Sequence, residues 1–115
     1  MKHSTFYILK QSGAYLKEGY EDTCITHDGS IINYCCDKYS DHCWVITEKS
    51  TGFSLGSVSH KKEVKDFVEN ISEEVLKMLN NDDRCAHAKQ YIKEAYESGE
   101  EHYKGDIWIW SIKFL

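Results

Sequence analysis

Cys24, Cys35, Cys36 and Cys43, with His27 and His42 among them, place four of the chain's five cysteines within twenty residues. Thiolate and imidazole are the donors that hold zinc, and a tetrahedral site takes four of them with Zn–S bonds near ~2.3 Å. The chain opens MKHSTFYILK, with no apolar run of signal-peptide length and no cleavage pattern, so the expected compartment is the cytosol. Thiols there stay reduced, and a cluster of them points to a bound soft metal, most simply Zn2+. The competing reading is packing, because free cysteine is among the most buried residue types. No CxxC pair is present to strengthen the metal signal.

Spacing narrows the donor set. If Asp28-Gly29 is a two-residue hairpin turn, His27 faces Ser30, Cys24 faces Asn33, and Cys35 lies diagonally across from Cys24 on the same face. His27 is then about 20 Å from the level of Cys36 at about 3.3 Å per residue, and it replaces a donor only if residues 24–30 form a knuckle. The loop Asp37–Asp41 returns His42 and Cys43 beside Cys35 and Cys36. The expected site takes four donors from Cys24, Cys35, Cys36, His42 and Cys43, closed and structural, at one end of the sheet. Cys85 reads as core. His87 and His102 read as solvated, His60 lies near a helix start, and His3 carries no signal.

These donors need elements to hold them. Residues 5–10 read as a strand. Cys24–His27 and Ser30–Cys36 flank the Asp28-Gly29 turn, and Cys43–Glu48 and Phe53–Val58 flank Ser50-Thr51-Gly52. Ser59 reads as an N-cap, after which Val64, Phe67, Val68, Ile71, Val75 and Leu79 recur on one helical face. Asn80-Asn81 breaks that helix and Asp82 caps a second, whose stripe is Cys85, Ala88, Ile92 and Ala95 and whose stop is Ser98-Gly99. The C-terminal DIWIWSIKFL alternates as a strand, with Trp108, Trp110, Ile112 and Phe114 on one face. Residues 1–115 contain no proline, linker or repeat. The expectation is one zinc-stabilised α+β domain, an antiparallel sheet of about five strands packed against two helices.

The net charge is −5, which argues against direct nucleic-acid binding through phosphate neutralisation. No run reaches the roughly 20 apolar residues of a membrane span. The charge is uneven. Between Glu21 and Glu48 there are six acids against one base, Lys38, and a second acidic stretch holds Glu94, Glu97, Glu100, Glu101 and Asp106. Such segments keep a domain soluble, or they attract a basic partner. Tyrosine beside carboxylate (Asp37-Lys38-Tyr39, Glu94-Ala95-Tyr96-Glu97, Glu101-His102-Tyr103) suits protein recognition, and Tyr34, Tyr39, Tyr91, Tyr96 and Tyr103 exceed what one small core accommodates.

Catalytic patterns are thin. Cys43 with His42 or His60 forms a nominal nucleophile pair, as any chain with five Cys and six His would. The zinc deaminase signature requires a proline that this chain lacks. Thr51–Gly56 carries neither a Walker lysine nor GxGxxG, and HExxH is absent. The expected role is non-enzymatic, with a Cys-dependent enzyme the weakest class.

In size, acidity and lack of catalytic motifs, the chain resembles the small inhibitors made by phages and mobile elements, particularly anti-CRISPR proteins. The residues that carry this are the acidic 21–48 segment, the DHCWVITEKSTGFSLGS hairpin leading into an amphipathic helix, and the tyrosine–acid clusters. Its cysteine-rich, lysine-rich, proline-free composition also looks like that of a low-GC Gram-positive host or its phages. That family shares no motif, so the resemblance covers general character and transfers no residue. It implies a bacterial cytoplasmic protein that binds a CRISPR effector, a type II Cas9, whose nucleic-acid channel is strongly basic, and blocks guide or target DNA loading. The partner surface expected from the sequence is Asp37, Tyr39 and Asp41 with Glu97, Glu100 and Glu101. The competing class is a zinc-binding cytosolic adaptor or regulator acting on another, basic protein.

Overall fold

Five strands follow one another as an antiparallel meander, each pairing with the next: β1 (Lys2–Lys10), β2 (Gly13–Ile25), β3 (Ile31–Ser40), β4 (Cys43–Glu48) and β5 (Ser54–Val58). A two-residue strand, β6 (His102–Tyr103), joins β2 at Ala14 and Tyr15. Helices α1 (Val64–Glu69), α2 (Glu73–Asn81) and α3 (Asp83–Ser98) lie between β5 and β6. The computed structural model describes residues 1–81 and 83–105, with the side chain of Asn81 left aside. The strand expected over DIWIWSIKFL, and the Asp82 cap, lie outside the described residues.

The α+β class and the antiparallel sheet match the sequence expectation, and the helical layer differs from it. The apolar face read as one helix is divided. Asn70 departs from helical dihedrals (φ −103, ψ 22), and Ser72 starts α2, its hydroxyl accepting from the Val75 amide at 3.4 Å. Short polar side chains that bond nearby backbone favour such breaks, and Glu73 and Glu74 then suit the new N-terminus. The earlier cap is His60 rather than Ser59: its amide donates to Glu63 at 3.0 Å above a 3-10 turn, Lys61–Glu63.

The sheet is covered on both faces. Cys24, Ile32, Tyr34, Cys36 and Ile46 pack against Val64, Val68, Ile71 and Leu76, so α1 and α2 cover one side. The alternate residues Glu21, Thr23 and Asn33 look the other way, toward Ile92 and Tyr96 of α3. A second cluster joins Tyr7 and Ala14 to Tyr91, Ile92 and Ala95. The predicted stripe Cys85, Ala88, Ile92, Ala95 is buried throughout. The two helices expected against the sheet are therefore corrected to three, divided between its two faces. The second cluster is also what accommodates Tyr91, which one core did not.

Tyr34 is fully buried, yet its hydroxyl has no hydrogen-bond partner among the described residues. Burial holds this phenol far above its ordinary range. Tyr34→Phe keeps the ring and removes the unsatisfied group, so denaturant unfolding should show stability unchanged or raised by about 1 kcal/mol. A loss of that size would show that the hydroxyl is bonded.

Candidate functional site

The five proposed metal donors are not gathered at one point. The turn after β2 is a three-residue loop, His27-Asp28-Gly29, with Thr26 donating to Ser30 O at 2.8 Å and Gly29 donating to Thr26 O at 3.0 Å. Gly29 takes φ +86, the left-handed residue that such a loop needs. The extra loop residue slips the register by one, so Cys24 pairs with Ile32 and Cys35 pairs with Glu21. A one-residue slip sends a side chain to the opposite face. Cys24 and Cys36 accordingly lie under α1 and α2, and Cys35 lies on the other side of the sheet.

Cys43 opens β4 opposite Ser40, four residues along β3 from Cys36, or about 13 Å at about 3.3 Å per residue. His42 is exposed in the turn, its ring edge-to-face with His60 at 6.2 Å. His27 sits in the hairpin loop, its Nδ1 3.4 Å from Glu69 O. Among the described residues no three His, Cys, Asp or Glu side chains converge as a metal site. The positions present do not fit a four-donor zinc.

The same burial governs the thiols' chemistry. It raises the Cys24 and Cys36 thiols and pushes Cys35 up to about 12. A thiolate is the nucleophilic form of cysteine, so with no metal bound these three thiols stay protonated at neutral pH. Cys85 is core as expected, its thiol donating to Met78 O at 3.0 Å. His102 is not simply solvated: it stacks on Tyr15 with ring centroids 4.0 Å apart, and its Nε2 lies 2.7 Å from Ser12 O.

The two acidic groups, sixty residues apart in sequence, meet along one strand edge. Leu16 of β2 donates its amide to Glu101 O at 2.8 Å. Three residues on, Gly19 lies against β3: a Cβ there would sit 2.2 Å from Cys36 O and 3.1 Å from the Cβ of Asp37. The two anchor points are thus about 10 Å apart at about 3.3 Å per residue. Glu18 lies between them with 72% of its side chain exposed. Asp41 is 92% exposed and 3.5 Å from Lys38, and Tyr39 is the most exposed large hydrophobic residue among the described residues at 79%. Glu97, Glu100 and Glu101 are all exposed.

Asp37 is half-buried, and its desolvation raises the carboxyl against the opposing pull of Lys17. Asp37 and Glu101 are therefore held at neighbouring points of β2, with Glu18, which the sequence reading missed, between them, while Glu97 lines the cleft beneath α3. Of the five tyrosines considered, Tyr34 and Tyr91 are core, Tyr103 is partly buried, and Tyr39 and Tyr96 are exposed, Tyr39 the more so.

No family model matches the chain, and no curated protein or solved structure matches it either. No helix among the described residues is long and apolar enough to cross a membrane.

Proposed function

We propose that the chain is a non-enzymatic inhibitor that binds a CRISPR effector, a type II Cas9, in the bacterial cytoplasm and blocks loading of guide or target DNA. The observation that carries this reading is the acidic strip from Asp41 through Asp37 and Glu18 to Glu101, with Tyr39 projecting from it. Carboxylates at that spacing steer a basic surface into encounter, and an exposed tyrosine supplies an anchor. The inert state of Cys24, Cys35 and Cys36 supports a role without thiol chemistry. The resemblance in general character to anti-CRISPR proteins supplies the particular partner. Titration of the purified chain into DNA cleavage by several type II Cas9 effectors, with a pull-down alongside, tests it. Inhibition with stoichiometric capture of at least one effector is the expected result, and neither with any of them removes the reading.

The second reading, a zinc-binding cytosolic adaptor or regulator, rests on Cys24, Cys35, Cys36, His42 and Cys43 as a sequence cluster. Metal analysis of the purified chain separates it from the first. The separation of these donors predicts far less than one zinc per chain and the same melting temperature with and without chelator. One equivalent, with melting lowered by chelation, would establish a metal-coupled fold and favour the adaptor.

A further inference from the structure

Between α3 and the sheet face that carries Thr23 and Asn33 lies a cleft of about 950 Å3. That is at the upper end of the range for small-molecule sites, roughly 300–1,000 Å3. Its charge runs against that of the chain. Four of the thirteen lysines of a chain with net charge −5 converge on it: Lys2 and Lys49 from the sheet side, Lys89 and Lys93 from α3.

The carboxylates in the cleft are largely engaged. Glu21 is bonded by Lys49 and lies 3.3 Å from Lys2, and the Lys49 bond chiefly holds its carboxyl below the ordinary range. Asp22 lies 3.9 Å from the Met1 ammonium. Lys89 and Lys93 are exposed, one helical turn apart, and form no ion pair among the described residues. Only Glu97 in the cleft opposes them.

Behind these lysines the wall turns apolar. Ile92 is buried, and the Tyr96 ring stands edge-on to Tyr7 with centroids 4.9 Å apart. Burial pushes the Tyr96 phenol up to about 12, so near neutral pH it offers a hydroxyl donor and no negative charge. Two uncommitted ammonium groups beside an apolar wall suit a multiply charged anion with a less polar body. A monocarboxylate would answer only one of them.

We propose that this cleft binds a small phosphorylated ligand of nucleotide size, its phosphates held by Lys89 and Lys93 and its body resting on Ile92 and Tyr96. Lysine serves phosphate as a point charge, without the planar match that favours arginine for carboxylates. The cleft shares Glu97 with the second acidic group, but the proposal does not depend on the nature of the partner of that surface.

Calorimetric titration of the full chain with adenosine triphosphate, pyrophosphate and adenosine tests the assignment. Triphosphate should bind in the micromolar range and adenosine at least tenfold more weakly. Lys89→Glu with Lys93→Glu should weaken triphosphate binding at least tenfold, while the free variant melts as the parent does because both side chains are exposed. The proposal is overturned by no heat with triphosphate at about 1 mM, by equal affinity for adenosine, or by unchanged affinity in the double variant. Pyrophosphate binding as tightly as the triphosphate would remove the contact with Ile92 and Tyr96.

Discussion

Gly52→Ala should cost about 2–4 kcal/mol of stability, the sum of a left-handed conformation forced on a residue with a Cβ and of overpacking in a filled site. Gly52 has φ +74, and a Cβ there would lie 2.8 Å from Ile92 Cδ1, 3.0 Å from the Leu9 amide nitrogen and 3.1 Å from Leu9 Cβ. The turn after β4 does more than reverse the chain. Its Gly52 carbonyl accepts from Leu9 at 2.9 Å, so the β4–β5 hairpin closes onto the outer edge of β1 while Ile92 of α3 packs above the junction. An edge strand left open is a template for aggregation, and this contact closes the Leu9 end of it. Gly29→Ala is the control. It shares the left-handed backbone (φ +86) but has nothing within 4 Å of the added Cβ, so about 1–2 kcal/mol is expected there. Urea midpoints at unchanged slope make the comparison. Equal losses at the two glycines would show that the turn does not rest on β1 in solution.

The elements with strong local signals were legible in the sequence. Trp44-Val45-Ile46 before a glycine-bearing turn gave β4 its bounds, and the Cys85, Ala88, Ile92, Ala95 stripe gave α3 its buried face. β2 was not legible beyond its end. GAYLKEGYEDTCI contains few branched residues, and two of its buried positions are Gly13 and Gly19, which carry no hydrophobic signal. Missing β2 had a direct consequence for the site, because β2 is the strand that brings Asp37 and Glu101 together. The donor geometry expected from the sequence differs for a smaller reason. Asp-Gly is the signature of a two-residue turn, but Thr26 recruits His27 into the loop, and the slip separates Cys24 from Cys35. The helix break at Asn70–Ser72 was visible as polar residues within an apolar period, but the regular spacing of Val64, Val68, Ile71, Val75 and Leu79 overrode it.

Reversing the acidic strip should slow association with a basic effector on the order of tenfold at low salt and flatten its salt dependence, because long-range steering acts on the encounter rate. The variants are Asp41→Lys with Asp37→Asn at one end, and Glu97→Lys, Glu100→Lys and Glu101→Lys at the other. Asp37 is neutralised rather than reversed because it is half-buried beside Lys17. All the reversed residues are exposed, so unfolding midpoints should stay those of the parent. The anchors of the two groups on β2 are about 10 Å apart, about one Debye length at 0.1 M salt, so at lower salt they act on a partner as one field. Each set alone should therefore slow the same association, and both together should slow it further. Tyr39→Ala should behave differently: association unchanged, dissociation faster by about tenfold, as for the loss of a central aromatic anchor. Slowing by one set with the other silent would break the strip into two unrelated patches. If neither set altered binding to an effector that the chain demonstrably captures, the carboxylates would serve solubility alone, and the contact would have to lie on another face of the sheet.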